Sequence, residues 1–271
     1  MTESARIIGF LGAGHMGEAL CRAWLASDLA NPESVIAYDP RAERTDLFSQ
    51  ELGVKVVATP EEVLREADVV ILAFKPQDAA TALEPLRELF GPQHLVVSIL
   101  AGTSTEYLER LLPEGVGVVR VMPNLLITVQ AGAAALAGGQ AAGAEDLEYV
   151  GRLFAAGGQA LVVEEKVLDA VTALSGSGPA YFFYVIEALV EGAVAQGLPA
   201  EVAAKLAEAT CLGAGKLLLE TGGDPGDWRA RVTSKGGTTA AALEVLEEAG
   251  VKQVFIRAVA AATERSRELG R

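Results

Sequence analysis

The sequence is short of cysteine, histidine and basic residues, and each shortage excludes a class of function. Its 271 residues include two cysteines, Cys21 and Cys211, and two histidines, His15 and His94. They lack the spacing of a zinc or disulfide motif, so we expect no metal site and free thiols in a reducing compartment. The net charge of −14 disfavours nucleic acid and anionic membrane surfaces as partners, because both require a basic face.

Long hydrophobic runs are also scarce. The apolar patch near the N-terminus is preceded by Glu3 and followed by a glycine-rich turn, which is unlike a signal peptide. The least charged later stretch, ITVQAGAAALAGGQAAGA, is too weakly apolar to span a bilayer. With 51% hydrophobic and 21% charged residues, the chain has a globular composition. We therefore expect a soluble, cytoplasmic protein of one large or two ordinary domains.

What the first half of the chain does contain is an alternation of strand and helix patterns. Apolar, β-branched runs occupy residues 6–12, 34–39, 54–57, 68–74, 94–100 and 116–122. Runs that are continuously apolar are typical of strands buried on both faces, and strands that alternate with helices form parallel sheets. The pattern predicts an α/β fold with a doubly wound, mainly parallel sheet. Residues 127–137 are compatible with one strand or two, and a last short strand is predicted at 159–165.

From residue 167 onward the sequence has only helical periodicity. We therefore place a domain boundary after residue 165, with an α/β domain at 1–165 and an all-helical domain at 166–271. The C-terminal helices are apolar on more than one face, as in AYFFYVIEALVEGAVAQG. A domain of this size buries only part of such a surface alone, so we expect these helices to form a subunit interface.

One glycine-rich segment follows the first predicted strand and opens a predicted helix at 15–27. It fits the pattern G-x-G-x-x-G, and its residues are Gly12, Ala13, Gly14, His15, Met16 and Gly17. In this context the pattern predicts a dinucleotide site. Gly12 would allow the tight turn, Gly14 the approach of the pyrophosphate, and Gly17 the packing of the helix on its strand. The pyrophosphate would lie on the helix N-terminus, where free amides favour an anion.

The end of the second predicted strand carries two conflicting signals about the cofactor. Asp39 stands about where a carboxylate accepts the ribose hydroxyl of NAD and repels the 2′-phosphate of NADP. Arg41 and Arg44 follow at once and are suited to bind that phosphate instead. Asp39 favours NADH slightly, and the sequence leaves either cofactor open.

Two further loops leave the carboxyl ends of predicted strands, at the edge where doubly wound sheets bind ligands. The residues that we expect to contact the cofactor there are Ala73, Phe74, Lys75, Pro76, Ala101 and Gly102. Lys75 is the charged member of this set and is predicted to lie near the phosphates or the nicotinamide ribose. A solvent-exposed lysine is the alternative, since lysine is usually exposed.

Six segments, in this order, carry a resemblance to a known family: FLGAGHMG, AFKP, SILAG, VRVMPN, LSGSGPAYFF and VTSKGGTTAAALEVLEEAGV. Together they resemble pyrroline-5-carboxylate reductases, which catalyse the last step of proline biosynthesis. The resemblance covers essentially the whole chain, and its last two segments are specific to the family. It implies an N-terminal Rossmann domain and a helical domain that interlocks with a second subunit, with rings of dimers also possible. The implied reaction is hydride transfer from NAD(P)H to a cyclic imine, which yields L-proline.

The resemblance also implies a substrate site. The residues that it assigns to substrate binding are Met122, Pro123, Asn124, Ser234, Gly236, Gly237, Thr238 and Thr239. The backbone amides of Gly237, Thr238 and Thr239 would hold the substrate carboxylate, with the catalytic Thr239 hydroxyl beside the ring nitrogen. Neither histidine lies in a loop suited to acid catalysis, and an imine that binds already protonated needs little of it.

The chain departs from the family at two points, where Lys235 replaces the usual proline and Leu125 the usual threonine. Both changes bear on substrate affinity, and neither removes a group that the mechanism requires. The segment LSGSGPAY is predicted to break a helix at residues 175–178 and to restart it at Pro179. The break either brings polar groups toward the ligands or is a kink at a subunit contact.

Two other functions fit the sequence less well. A related imine or hydroxy-acid oxidoreductase is one of them; the hydroxy-acid group would place a lysine or histidine on the first long helix after the domain boundary, but VTALSGSGPAYFF contains neither. A non-catalytic dinucleotide-binding regulator would be expected to have lost part of residues 12–17 or 236–239, and both are intact.

Overall fold

The computed structural model describes residues 6–269, so Glu3, which precedes the apolar N-terminal patch, lies outside the described residues. The chain divides into two compact units, one formed by the residues up to 177 with those from 262 on, the other by residues 178–261. The compact units thus divide after Ser177, within a helical run that begins at Glu165. The boundary predicted after residue 165 is a division by secondary structure and stays a prediction.

The described part of the first unit contains one sheet of eight strands. In chain order they are β1 (Ile8–Leu11), β2 (Val35–Tyr38), β3 (Lys55–Val56), β4 (Val69–Leu72), β5 (Leu95–Ser98), β6 (Gly117–Pro123), β7 (Gly132–Gly138) and β8 (Gly158–Val162). Their order in the sheet is β3-β2-β1-β4-β5-β6-β7-β8. Only β6 and β7 pair antiparallel, and all other neighbours are parallel. The predicted doubly wound, mainly parallel sheet is confirmed.

The helices of this unit cover both faces of the sheet. They are α1 (His15–Ala26), α2 (Ala42–Gln50), α3 (Pro60–Glu66), α4 (Ala79–Leu83), α5 (Thr105–Leu111), α6 (Ala144–Ala155) and α7 (Leu168–Val171). Successive strand residues point to opposite faces. Phe10 and Ile71 accordingly belong to one buried cluster, whereas Leu11 and Leu72 belong to another. This two-sided burial explains why the strands read as continuous apolar runs.

The stretch at 127–137 contains one strand and not two. Residues Leu125–Val129 form a 3₁₀ turn instead, and only β7 follows it. The turn begins at Asn124, whose side-chain oxygen accepts a hydrogen bond from the amide of Leu126. An asparagine in this position competes with the sheet ladder for the backbone amides and so ends the strand.

The described residues after Val167 contain helices and no strand, as predicted. Beyond α7 these helices are α8 (Gly178–Ala195), α9 (Ala200–Thr221), α10 (Pro225–Arg231), α11 (Thr238–Glu248) and α12 (Val251–Leu269). Gly250, with a φ of +64°, separates α11 from α12. Its left-handed conformation favours glycine and interrupts the periodic pattern that runs through both helices.

The helix break predicted at residues 175–178 is narrower than expected, because the helical segments end at Gly176 and resume at Gly178, with Ser177 as a bend between them. Residues Thr172–Gly176 form a π-helical turn, in which the amide of Ser177 donates to the carbonyl of Thr172 at 2.9 Å. The wider π turn absorbs one extra residue just before the bend at Ser177. Pro179 does lie in the first turn of α8, as expected.

The second unit leaves most of its large apolar side chains exposed. Those with more than half of their area exposed include Phe182, Phe183, Tyr184, Leu189, Leu206, Leu212, Leu219, Val245 and Ile256. Among the described residues of this unit, only Gly178, Pro179 and Ala203 are buried. A contiguous apolar surface of this kind is typical of an interface.

Candidate active site

The carboxyl ends of β1, β2 and β4 meet at one point of the sheet. The amide of Gly12 donates to the carbonyl of Tyr38 at 2.8 Å, and the amide of Ala73 donates to the carbonyl of Leu11 at 2.9 Å. Here the connections leaving neighbouring strands run to opposite sides, which is where doubly wound sheets bind ligands. Three of the predicted cofactor segments, those containing Gly12, Asp39 and Ala73, therefore converge.

Each of the three glycines in the G-x-G-x-x-G segment is explained by a different physical cause. Gly12 has a φ of +95°, and a Cβ atom there would lie 2.7 Å from the carbonyl oxygen of Ala73. A Cβ atom on Gly17 would contact Ala73 and the Gly12 carbonyl at 3.4 Å. Gly14 has an ordinary φ of −66°, and a Cβ atom there would meet only the Ala73 carbonyl, at 3.5 Å. The fold itself tolerates a side chain at Gly14, so its absence leaves room for a ligand.

Helix α1 presents open amides at its N-terminus. Its N-cap, Gly14, makes no side-chain capping bond, and the first amide to reach the N-cap carbonyl is that of Glu18 at 2.9 Å. Across residues 6–269, no hydrogen bond reaches the amides of His15, Met16 and Gly17. These donors and the helix dipole together form a site for a phosphate group.

Asp39 is buried, and hydrogen bonds fill its carboxylate. Its Oδ2 accepts from the amide of Ala13 at 2.8 Å and from Nη2 of Arg41 at 3.0 Å. Its Oδ1 accepts from the amide of Arg41 at 3.0 Å and from Nε of Arg41 at 2.9 Å. Burial raises the pKa of Asp39, but the hydrogen bonds from Arg41 and Ala13 outweigh burial and hold that pKa below its ordinary value. The carboxylate is therefore ionised and already paired at neutral pH.

Arg44 turns inward and not toward the ligand edge. Its Nε donates to the carbonyl of Ala13 at 2.6 Å, and its Nη2 donates to Glu18 at 2.8 Å. The side chain is only 10% exposed. Burial raises the pKa of Glu18, but hydrogen bonds from Arg44 and Arg22 lower it further than burial raises it. Arg44 thus braces the glycine loop, and of the two arginines considered for a 2′-phosphate only Arg41 is exposed.

The other predicted cofactor residues follow β4 and β5 at the same edge of the sheet. Phe74 and Pro76 are half-buried, Lys75 and Ala101 are exposed, and Gly102 is buried with a φ of +75°. Their contacts with a cofactor stay a prediction.

The side chains of His94 and Cys21, which belong to reactive residue types, are buried within the fold. His94 is buried, its Nδ1 accepts from the amide of Gly91 at 3.0 Å, and its Nε2 lies 2.9 Å from the carbonyl of Leu64. Both ring nitrogens are therefore used within the fold. Burial raises the pKa of the Cys21 thiol to about 12, so this thiol stays protonated and unreactive.

The segment SKGGTT forms a tight turn directly before α11. The amide of Gly237 donates to the carbonyl of Ser234 at 3.0 Å, and Gly236 between them has a φ of +70°. A Cβ atom on Gly237 would collide with Oγ of Ser234. The turn thus requires glycine at 236 for its conformation, whereas the contact at Gly237 is with a side chain that can rotate away.

The open amides at the start of α11 are not all the ones that were predicted to hold the substrate carboxylate, since one residue of that set is replaced by another. Gly237 does not offer its amide, because the turn uses it. Among residues 6–269, no hydrogen bond reaches the amides of Thr238, Thr239 and Ala240, and the N-cap makes no side-chain bond. Ala240 was missed, although the third position of a helix always has an amide without an intrahelical partner. An open depression of about 540 Å³ lies beside this turn.

The depression carries three acidic side chains, and of the three residues with open amides only Ala240 lines it. Glu244, Glu247 and Glu248 line it together with Gly236 and Ala240. An anion at the helix start therefore depends on the local amides and the helix dipole against the surrounding charge. The exposed Lys235 places a positive charge next to the turn.

Asn124 joins the end of β6 to the π turn. Its Oδ1 accepts from the amides of Leu126 at 3.2 Å and Ala133 at 3.1 Å, and its Nδ2 donates to the carbonyl of Ser175 at 3.1 Å. Asn124 is 6% exposed. Its polar atoms are thus committed within the fold, so the geometry favours a positioning role over direct substrate binding.

The carbonyl of Ser175 is available to Asn124 for a chemical reason. In a regular helix this oxygen would accept from the amide four residues later, but that residue is Pro179, which has no N–H. The neighbouring Met122 packs against the turn, since a Cβ atom on Gly176 would lie 2.5 Å from its methyl group. The motifs VRVMPN and LSGSGP, far apart in sequence, therefore form one structural unit.

A glycine loop at the switch point of a doubly wound sheet, followed by a helical unit with an apolar surface, defines an oligomeric dinucleotide-dependent oxidoreductase. A family model described as pyrroline-5-carboxylate reductase dimerisation matches residues 165–269, and one described as NADP oxidoreductase coenzyme F420-dependent matches residues 7–102. The pyrroline-5-carboxylate reductase of Methanosarcina acetivorans is 44% identical over 97% of this chain and 98% of its own. The chain belongs to the pyrroline-5-carboxylate reductase family.

Solved structures agree with this assignment. A pyrroline-5-carboxylate reductase from Coxiella burnetii is 33% identical, with a TM-score of 0.93 over 99% of this chain and 100% of its own. The enzyme from Plasmodium falciparum, solved with NADP bound, is 28% identical, with a TM-score of 0.88 over 98% of both chains.

The dimerisation match covers the exposed apolar helices. By length and composition alone, the run Glu165–Ala195 would also be able to cross a membrane, and only 11% of its most apolar window is buried in the single chain. The match at residues 165–269 accounts for this surface as a subunit contact. The predicted homo-oligomer is confirmed.

Proposed function

We propose that this protein reduces 1-pyrroline-5-carboxylate to L-proline with NADPH or NADH. The single observation that carries the proposal is the cluster of open amides of Thr238, Thr239 and Ala240 beside a depression at the start of α11. A helix start of this kind binds a carboxylate, and the substrate carries one next to its imine. Family membership and the glycine loop of α1 support the use of a nicotinamide dinucleotide.

In the proposed mechanism the protein mainly binds and orients. The nicotinamide, when bound, supplies a hydride. The amides of Thr238 to Ala240 hold the substrate carboxylate, and the hydroxyl of the half-buried Thr239 lies beside the ring nitrogen, which keeps its proton. Positioning of the two reactants alone lowers the activation free energy by several kcal/mol, on the order of 7 or more in favourable cases. His94 and Cys21 are not needed as acid or nucleophile.

The first experiment is to follow the absorbance of NADH and NADPH separately with purified protein and pyrroline-5-carboxylate. We expect oxidation of the cofactor with an equal amount of L-proline formed. Cofactor binding without oxidation of either one would contradict the proposed reaction, and other cyclic imines would then be tested.

The change Thr239→Ala is expected to lower kcat for the imine by about 10- to 100-fold, the worth of one hydrogen bond to a charged group. Dissociation constants for NADP⁺ and NAD⁺ should stay within about twofold, because Thr239 is placed at the substrate. Steady-state kinetics and cofactor titration measure the two effects. Thr238→Ala, at an exposed neighbouring position, is the matched control. Equal losses of rate and cofactor affinity would contradict the assigned role.

The cofactor contacts of residues 12–17, 73–76 and 101–102 belong to the same proposal. Both cofactors are expected to bind, with the pyrophosphate on α1. The slight preference for NADH was based on an open Asp39 carboxylate. Since Arg41 and Ala13 fill that carboxylate, the basis for this preference is weak.

We also propose that residues 1–165 form the dinucleotide-binding domain and residues 166–271 the substrate-binding and dimerisation domain. Support comes from the glycine loop in the first and the dimerisation match at 165–269 in the second. Dimers would assemble further into a ring in the cytoplasm, as the resemblance implies. Light scattering tests the ring, since a mass of only twice 28.2 kDa would contradict it.

A further inference from the structure

We infer that the buried ion pair between Arg120 and Glu165 positions the β5 loop, residues 99–104, against the nicotinamide half of the cofactor. The two side chains would act on hydride transfer without touching either reactant, so they are positioning residues and not catalytic ones. The inference rests on the proposed function, which places Ala101 and Gly102 at the cofactor. It depends on how the two ends of this loop are held.

The two ends of the β5 loop are held in different ways. At the first end the amide of Ile99 donates to the carbonyl of Leu72 at 3.2 Å, so the sheet itself fixes this residue. The second end is held by a side chain from far along the sequence. Glu165 accepts hydrogen bonds from Thr105, the first residue of α5, at 2.7 Å from its amide and 2.5 Å from its hydroxyl. The position of Glu165 therefore decides where the loop ends.

Arg120 in turn holds Glu165. It lies on β6 and pairs with Ser98, the last residue of β5, so it is level with the start of the β5 loop. Nη1 of Arg120 donates to Oε1 of Glu165 at 3.3 Å, and this oxygen is the one that accepts the Thr105 amide. The side chain of Arg120 is 6% exposed. Hydrogen bonds shielded from water in this way are stronger than exposed ones, so a displaced guanidinium would carry the loop end with it.

Stability alone is a poor explanation for an arginine at this place. Among residues 6–269, Nη2 of Arg120 is the buried side-chain nitrogen or oxygen that lacks a hydrogen-bond partner. Oδ1 of Asp169 lies 3.9 Å away, beyond hydrogen-bond distance. An unpaired buried donor is destabilising, and apolar residues often replace buried ion pairs without loss of stability. The arginine is better explained by what it holds in place than by the free energy that it contributes.

The order of the strands assigns the β5 loop to the nicotinamide half of the cofactor. The glycine loop after β1 would hold the pyrophosphate, and the ribose of the adenosine half would lie at the end of β2. Strand β5 lies on the other side of β1, beyond β4. A shift of its loop should therefore move the ring that reacts and leave the contacts of the phosphates unchanged. We expect kcat to respond more than the dissociation constants, and NADP⁺ and NAD⁺ to respond alike.

The other neighbour of Arg120 provides a matched control. Asp169 on α7 accepts a hydrogen bond from the hydroxyl of Ser266 at 2.7 Å, and in the described part of the chain no hydrogen bond connects it to the β5 loop. Its side chain is 24% exposed, and that of Glu165 is 27% exposed. Asp169→Asn and Glu165→Gln thus each remove one negative charge beside the same arginine, but only the second removes it from the loop.

The test is Glu165→Gln in the full-length protein. Glutamine still accepts from the Thr105 amide but loses the charge that orders Arg120 and the loop end. The kcat for the imine is expected to fall by about 10- to 100-fold, because small displacements of a reactant have effects of this size. The dissociation constants for NADP⁺ and NAD⁺, from calorimetric titration, should rise by the same factor, about threefold or less. Hydrogen exchange at residues 100–105 of the protein without cofactor should become faster.

Asp169→Asn should leave all three measurements near the wild-type values. Arg120→Met should reproduce the effect of Glu165→Gln, and Arg120→Lys should recover part of the lost kcat. Loss of stability in urea with unchanged kcat and loop exchange in Glu165→Gln would overturn the inference, as would an equal loss of kcat in Asp169→Asn. If the protein did not reduce the imine at all, the exchange rates of the loop would still test the positioning, so the two failures are distinguishable.

Discussion

Placing one methyl group on Gly12 should destabilise the fold, whereas placing it on Gly14 should weaken cofactor binding alone. Gly12→Ala forces a non-glycine residue to a φ of +95° and brings its Cβ within 2.7 Å of a backbone carbonyl. Left-handed strain costs about 1–3 kcal/mol, and the clash with Ala73 adds to it. We expect the free energy of unfolding to fall by about 2–4 kcal/mol.

Gly14→Ala is the matched change two residues away. Its φ of −66° suits alanine, and the only atom near the new methyl group is the Ala73 carbonyl oxygen at 3.5 Å. Stability should therefore change by less than about 0.5 kcal/mol. The methyl group would occupy the space over the first turn of α1, where we expect the pyrophosphate, and should weaken binding of both cofactors by about 10-fold or more.

Urea denaturation gives the free energy of unfolding of each variant, and titration with NADP⁺ and NAD⁺ gives the affinities. The two variants should separate stability from binding. If Gly14→Ala lost as much stability as Gly12→Ala while binding both cofactors normally, the loop would be a structural turn and not a phosphate site.

The contrast between these glycines shows what the sequence alone could predict. The pattern G-x-G-x-x-G between a strand and a helix was sufficient to locate the loop, because the pattern and its flanking elements are contiguous in the sequence. The reasons for Gly12 and Gly17 require the neighbouring segment at Ala73, which lies far away in the chain. The strands were similarly found from their apolar runs, although β3 has two residues where four were predicted.

Sequence reasoning does not reach the places where one residue's hydrogen bond depends on another's. Asp39 and Arg41 were both identified, but spacing does not reveal that they pair with each other. The amide of Gly237 was assigned to the substrate because nothing local shows that Ser234 receives it. The helix break in LSGSGP was predicted from glycine and serine propensity, which does not show that a π turn bonded to a distant asparagine confines the break to Ser177.

The subunit interface, by contrast, was predictable from composition. Burial of an apolar surface depends on total area and not on the position of any one contact. Helices with apolar side chains on several faces, in a domain this small, have too little interior for them. The exposure of Phe182 and Leu212 in the single chain follows from the same surface-to-volume argument.

Removal of the Asn124 side chain is expected to have the largest effect on stability of any single polar substitution in this site. Asn124→Ala leaves the amides of Leu126 and Ala133 and the carbonyl of Ser175 without partners in a partly buried position. Each buried group left unpaired costs about 1–3 kcal/mol. We expect the free energy of unfolding to fall by about 3–5 kcal/mol, measured by urea denaturation.

Asn124→Asp separates the contributions of the Oδ1 acceptor and the Nδ2 donor to this loss of stability. The carboxylate still accepts from Leu126 and Ala133, but it faces the Ser175 carbonyl with no donor. If the bond to Ser175 matters, Asp should recover only part of the stability that Ala loses. Equal stability of the Asp variant and the wild type would show that the link between β6 and the π turn contributes little.

Pro179 permits a sharper test of the same link, because it is the reason that Ser175 needs Asn124. In Pro179→Ala the backbone regains an N–H four residues after Ser175, which is the ordinary helical donor for that carbonyl. When the side chain at 124 is alanine, this N–H has an unpaired acceptor to bind, so Pro179→Ala should restore about 1 kcal/mol. With Asn124 present, the carbonyl is already bound and the same change should gain less. A double-mutant cycle measures the difference as a coupling free energy. A coupling of zero would mean that the proline and the asparagine act separately, and that the two motifs share a site without depending on each other.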